Sequence, residues 1–187
     1  MDLSFDMAKA QSQMTNVLFR EKGYCEKNIG NYPGIQERID NIQMILNDST
    51  LLEKMVAIEL TSDVDYIVGH FSQNNDCEID LKGLLASCIS GKMVIIPGKG
   101  LSIDVGFSGN TSVIYFSTSE ELRRFLYELV GFVFQSKEEA KNNPHAEIVD
   151  PMLLPDFKSN HALSLLDDLN SIRNVVVPKL KNVQVQK

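Results

Sequence analysis

The chain has 187 residues, enough for one domain or for a domain with an appended arm. Apolar residues make up 43% and charged residues 23%, which excludes a collagen-like, a disulfide-dense or a wholly disordered chain. With 18 Lys and Arg against 25 Asp and Glu, the net charge of −7 disfavours binding to a phosphate backbone.

Over residues 1–22, Leu3, Met7, Ala10, Met14, Val17 and Leu18 recur at helical spacing, and Gly23 is the expected stop. Gly30, Asn31, Pro33 and Gly34 mark a loop. From Ile35, the positions Ile39, Ile42, Ile45 and Leu46 repeat at three and four, which predicts a second helix to about Asn47. Thr50 with Glu53 forms a capping-box pattern for a helix carrying Leu51, Leu52, Met55, Val56 and Ile58. Ser62, with Asp63 and Asp65 behind it, offers another cap before Val64, Ile67, Val68 and Phe71, unless the two segments are one continuous helix. Ile79 to Ile89 is apolar and reads as helix, ending near Gly91.

The period then changes. Met93 to Ile96 is a short run rich in β-branched residues, closed by Pro97-Gly98-Lys99-Gly100. Leu101, Ile103, Val105 and Phe107 alternate with Ser102, Asp104 and Gly106, the pattern of a half-buried strand. After Ser108-Gly109-Asn110-Thr111, Val113 to Phe116 forms a third run. These features predict a three-stranded antiparallel meander over about 93–116, with Leu101, Ile103, Val105 and Phe107 toward the core. Ser117-Thr118-Ser119-Glu120-Glu121 holds two overlapping capping boxes and opens an amphipathic helix over about 118–136.

Past Lys137, Asn142, Asn143, Pro144, Pro151 and Pro155 argue for an extended connection. A short helix is expected from about Asn160 to Val175 on Leu163, Leu166, Leu169 and Ile172. The end of the chain is basic, with Arg173, Lys179, Lys181 and Lys187. The predicted class is therefore α+β: a helical N-terminal half, the meander with its packed helix, and a short C-terminal helix. Residues 1–136 read as a single domain, and 137–187 as connection, helix and basic tail.

Asp2 and Asp6 stand where a secretory signal needs positive charge, and no apolar stretch reaches the roughly 20 residues of a membrane span. Cys25, Cys77 and Cys88 are odd in number and scattered, which fits a reducing cytoplasm. Cytoplasmic localisation with no membrane partner is the expectation. The charge is concentrated: residues 41–80 hold Asp48, Glu53, Glu59, Asp63, Asp65, Asp76, Glu78 and Asp80 against Lys54 alone, a net −7.

Motifs for chemistry are sparse. Pro97 to Ser102 lacks the Walker spacing, and His70, Cys77 and Cys88 lack the close spacing of zinc ligands. Cys25 with His70, His145 or His161 carries no cysteine-hydrolase signature. Asp63 and Asp65 point to different sides of a helix, and Asp104 has no companion acid nearby. No catalytic residue, metal or cofactor is expected, and nucleic-acid binding through the tail would rest on four charges.

The leading expectation is a non-catalytic protein-interaction domain of the adaptor, chaperone-like or inhibitor/immunity type, binding another protein or itself. On the helix after Ser117, Leu122, Phe125, Leu126, Leu129, Phe132 and Val133 form the stripe toward the meander. Arg123, Tyr127, Val130 and Phe134 widen the apolar arc and are the expected partner-binding residues, unless another helix of the same chain covers them. The alternative is a small hydrolase-type enzyme assembled from scattered Cys, His and Asp residues, centred on Cys88 or Asp104. An apolar groove rimmed by acids favours the first; a deep pocket with Asp104, a histidine and a shifted acid favours the second.

Overall fold

The computed structural model describes residues 3–73, 79–80, 83–90, 92–97, 102–105, 111–133, 161–175 and 177–178. The elements in chain order are α1 (Met7–Lys27), α2 (Ile35–Leu46), α3 (Ser49–Gln73), β1 (Ile79–Asp80), α4 (Gly83–Ser87), β2 (Lys92–Pro97), β3 (Ser102–Val105), β4 (Thr111–Phe116) and α5 (Ser119–Leu129). A 3-10 turn (Ala162–Leu165) and α6 (Leu169–Asn174) follow.

Helix α1 starts where Asp6 accepts a hydrogen bond from Lys9 N at 3.0 Å, and it runs through Gly23 to Lys27. Gly23 is an interior helical residue with open space around it, so its lack of a side chain does not end the helix. Gly34, at φ 90°, turns the chain into α2, whose Ile35, Ile39, Ile42 and Ile45 are all buried as their spacing predicts.

Helix α3 is a single element from Ser49 to Gln73. Its cap is Asp48 and not Thr50: the Asp48 carboxylate accepts from Thr50 N at 2.9 Å and Leu51 N at 3.4 Å. An ionised acceptor at a helix start also meets the positive end of the helix dipole, which favours it over a hydroxyl two residues later. Met55, Val56, Ala57 and Ile58 are buried in succession, and Leu60, Thr61 and Val64 are buried too. A helix apolar around most of its circumference belongs at the centre of a packing arrangement, and α3 touches α1, α2, α4, α5 and α6.

The α+β class with an antiparallel meander is overturned. The described chain is mostly helical, and the segments at 93–116 do not meander. The strand order is β1-β2-β4-β3: β4 lies between β2 and β3 and runs parallel to β2, with Lys92 opposite Thr111 and Pro97 opposite Phe116. Only β3 and β4 pair antiparallel among the three expected strands, with Ile103 opposite Ile114, while β1 adds antiparallel to β2 through Ile79 and Ile95. Alternation of apolar residues reports which face of a strand is buried, not which strand lies beside it. Leu101 and Phe107 lie outside the described residues.

Helix α5 opens on the expected capping box. Thr118 Oγ1 accepts from Glu121 N at 3.1 Å, and Glu121 Oε2 accepts from Ser117 N at 3.2 Å. It stops at Leu129 instead of about 136, because Gly131 at φ 88° ends it. Gly131 N donates to Glu128 O and Phe132 N to Tyr127 O, the paired bonds of a Schellman closure. The Tyr127 and Phe132 rings meet edge to face, with centroids 5.7 Å apart.

The stretch expected as helix from 79 to 89 is split into β1 and the short α4, with Phe5 bridging to Ile89. The expected C-terminal helix is likewise split, into the 3-10 turn and an α6 capped by Asp168. This segment is docked by side chains reaching its backbone: Arg38 Nη2 donates to Leu163 O at 3.1 Å, Asn41 Nδ2 to Leu166 O at 2.8 Å, and Lys54 Nζ to Arg173 O. Its Ala162, Leu166 and Ile172 enter the main core beside Met14, Met55 and Tyr127. The expected connection at 137–160 and the tail lysines lie outside the described residues. No helix among the described residues is long and apolar enough to cross a membrane.

Candidate functional site

Three of the four residues expected to bind a partner, Arg123, Tyr127 and Val130, are buried within this chain. Tyr127 is 0% exposed, Val130 3% and Arg123 9%, and Tyr127 and Val130 belong to the main core. Helix α3 packs against α5 and meets Arg123 there. Arg123 Nη1 forms an ion pair with Asp65 of α3 and lies 3.4 Å from Tyr127 Oη. The wide apolar arc of α5 is therefore covered on one side by the sheet, where Phe125 meets Phe116 at 5.3 Å between ring centroids, and on the other by α3. Phe134 lies outside the described residues.

A concave site lies elsewhere. Helices α1, α3 and α4 and the turn at 161–163 enclose a cleft of about 310 Å³. Its walls are Met14, Val17, Leu84 and Leu163, with Gln13, Glu59, Gly83, Ser87 and His161 supplying the polar atoms. The volume is near the lower end of ligand pockets and suits one or two large side chains.

The polar groups are ordered by one another. Ser87 Oγ donates to Gln13 Oε1 at 2.7 Å, which joins α4 to α1. Glu59 Oε2 accepts from Ala162 N at 2.9 Å and stands 3.2 Å from His161 Nδ1. The Glu59 side chain is 15% exposed and that of His161 60%, so the carboxylate sits inside the cleft and the imidazole on its rim. His161 Nδ1 also accepts from Leu163 N at 3.3 Å. The same nitrogen is thus within reach of both Leu163 N and the Glu59 carboxylate, and it donates to Glu59 only in the form that carries its proton there.

Asp63 lies one turn beyond Glu59 on α3. Its Oδ2 accepts from Leu85 N at 3.2 Å and so holds the start of α4. Burial pushes this carboxyl up to about 7; the nearby Glu59 charge adds to the rise, while the backbone N–H groups of Leu85 and Leu84 oppose it. Asp63 does not line the cleft. Gly83 does, and the carboxyl packs directly against it.

The other sequence candidates are dispersed. Asp63 and Asp65 diverge as expected, one to α4 and the other to Arg123. Cys25 and Cys88 are buried free thiols; Cys25 belongs to a small separate core with Ile35 and Ile39. Cys88 Sγ lies 3.7 Å from Gln13 Oε1, behind the cleft wall. His70 meets Tyr66 with the two rings tilted at 46°, and Asp104 lies on β3 opposite Val113. Cys77 and His145 are outside the described residues. No group of three or more His, Cys, Asp or Glu gathers to hold a metal among the described residues.

Sequence reasoning missed Glu59, Gln13, Ser87 and the 161–163 turn as one site. Glu59 was legible only as an acid among apolar residues on a buried helix. Its partners His161 and Ala162 lie 102 and 103 positions away in the chain. Comparison with protein-family models, curated proteins and solved structures finds no match to this chain.

Proposed function

We propose that this chain is a non-catalytic protein-interaction module that holds a segment of another protein in the cleft between α1, α3, α4 and the 161–163 turn. The observation that carries this reading is the composition of the cleft: four apolar walls, Met14, Val17, Leu84 and Leu163, with one carboxylate, Glu59, set among them. Apolar anchors with a small number of oriented polar groups are what a peptide groove needs. The buried thiols Cys25 and Cys88 suit a reducing compartment such as the cytoplasm.

The test is a titration of the isotope-labelled protein with a synthetic amphipathic helix of about four turns bearing leucines at i, i+3, i+4 and i+7. Amide shifts are expected around Gln13, Val17, Leu84 and Leu163, and Leu84→Asp should abolish them. Shifts elsewhere, or none at millimolar peptide, would sink the groove.

A hydrolytic role is the second reading, favoured by the Asp63 carboxyl near 7 beside a cleft that also holds His161. Against it, that carboxyl is engaged by the backbone of α4. Turnover of simple esters that disappears in Asp63→Asn would put this reading in place of the groove.

A further inference from the structure

We infer that the segment seated in the cleft carries a lysine or arginine, and that Glu59 holds its charge. This rests on the groove reading above. Glu59 is a carboxylate inside apolar walls, only 15% exposed. Both of its contacts, Ala162 N and His161 Nδ1, fall on Oε2. Among the described residues Oε1 meets no donor. Two oxygens of a carboxylate offer about four acceptor positions, so Oε1 can still take a donor from an occupant.

Among the described residues no lysine or arginine lines the cleft. Arg38 faces Glu21 and Asp167 and donates to Leu163 O. Lys54 donates to Arg173 O, and Arg123 pairs with Asp65. His161, 60% exposed on the rim, faces Oε2 and leaves Oε1 open. An occupant with apolar anchors and a cationic group one turn away satisfies the walls and the free oxygen together. A basic amphipathic segment of a partner protein has that chemistry.

Three fluorescent peptides test this, identical in their leucine anchors but with lysine, norleucine or glutamate at the position one turn from the first anchor, each also made in two shifted registers. Binding is read by anisotropy at low and high salt, against the wild-type chain, Glu59→Gln and Gln13→Glu. Glu59→Gln keeps an oxygen for Ala162 N, and Gln13→Glu keeps the acceptor for Ser87 while adding a charge to the wall.

The lysine peptide should bind the wild type about tenfold more tightly than norleucine. That ratio should fall to about one in Glu59→Gln, rise in Gln13→Glu, and shrink with salt. Equal binding of lysine and norleucine peptides to the wild type would overturn the charge assignment while leaving the groove intact. Failure of every peptide would remove the groove reading itself. Equally tight, Glu59-dependent binding of hexylamine would reassign the cleft to small amines and overturn the peptide partner.

Discussion

Asp63 Oδ2 accepts a hydrogen bond from Leu85 N across 22 positions of sequence, and the same carboxyl fills the space a side chain at Gly83 would need. A Cβ at position 83 would stand 2.7 Å from Asp63 Cγ, on a residue whose φ is already +66°. Both steric crowding and backbone conformation therefore demand glycine there. Gly83→Ala should lower stability by about 2 kcal/mol in urea unfolding. Gly23→Ala, inside α1 with open space around it, should raise stability by about 0.5 to 1 kcal/mol. If both changes have the same sign, the docking of α4 on Asp63 is wrong.

Asp63 also sets a pH dependence. Its carboxyl is pushed from the ordinary 3.8 up to about 7, chiefly by burial. The folded chain therefore keeps this proton up to about pH 7, whereas the unfolded chain releases it near 3.8. The resulting stabilisation is fully present below pH 3.8 and is lost as pH rises through 7. Urea midpoints of the wild type should consequently decline from pH 4 to pH 8 relative to Asp63→Asn, which has no proton to lose. A constant difference between the two chains across that range would refute the shift.

The ion pair between Asp65 and Arg123 lies in the core, with side chains 17% and 11% exposed. Removing one partner leaves the other charge buried alone, so Arg123→Ala should lower stability by about 3 kcal/mol. Asp65→Ala combined with Arg123→Ala should cost less than the two single changes added together. Strict additivity in a double-mutant cycle would show that the charges do not interact.

The end of α5 depends on Gly131, which adopts φ 88° with no side-chain contact to oppose a Cβ. Gly131→Ala should destabilise by about 1 kcal/mol through backbone conformation alone. An unchanged melting temperature would indicate that the helix continues past Leu129.

Some of this was legible in the one-dimensional pattern. The isoleucines of α2 at three and four spacing, and Thr118 with Glu121 at the start of α5, act within a few residues of each other, and local geometry settles them. Even the end of α5 was open to reading, since Gly131 sits where an αL closure ends a helix. The competition between Asp48 and Thr50 was also local, decided by the stronger charged acceptor.

What the sequence by itself determined, then, was that helices form around α1, α2, α3 and the start of α5 and which of their faces are apolar, while 79–89 and 160–175 broke up otherwise than their spacing predicts. Tertiary packing decided who covers those faces. The alternation around Ile103 is the same whether β3 lies next to β2 or beyond β4, and the apolar arc of Tyr127 and Val130 is the same whether a partner or the chain's own core lies against it. The cleft follows the same rule. Gln13, Glu59, Ser87 and His161 come from four separate elements, and no periodicity couples residues so far apart. They meet because a helix apolar on nearly every side must sit at the centre, and the elements packed around it bring their polar edges together where they do not quite close.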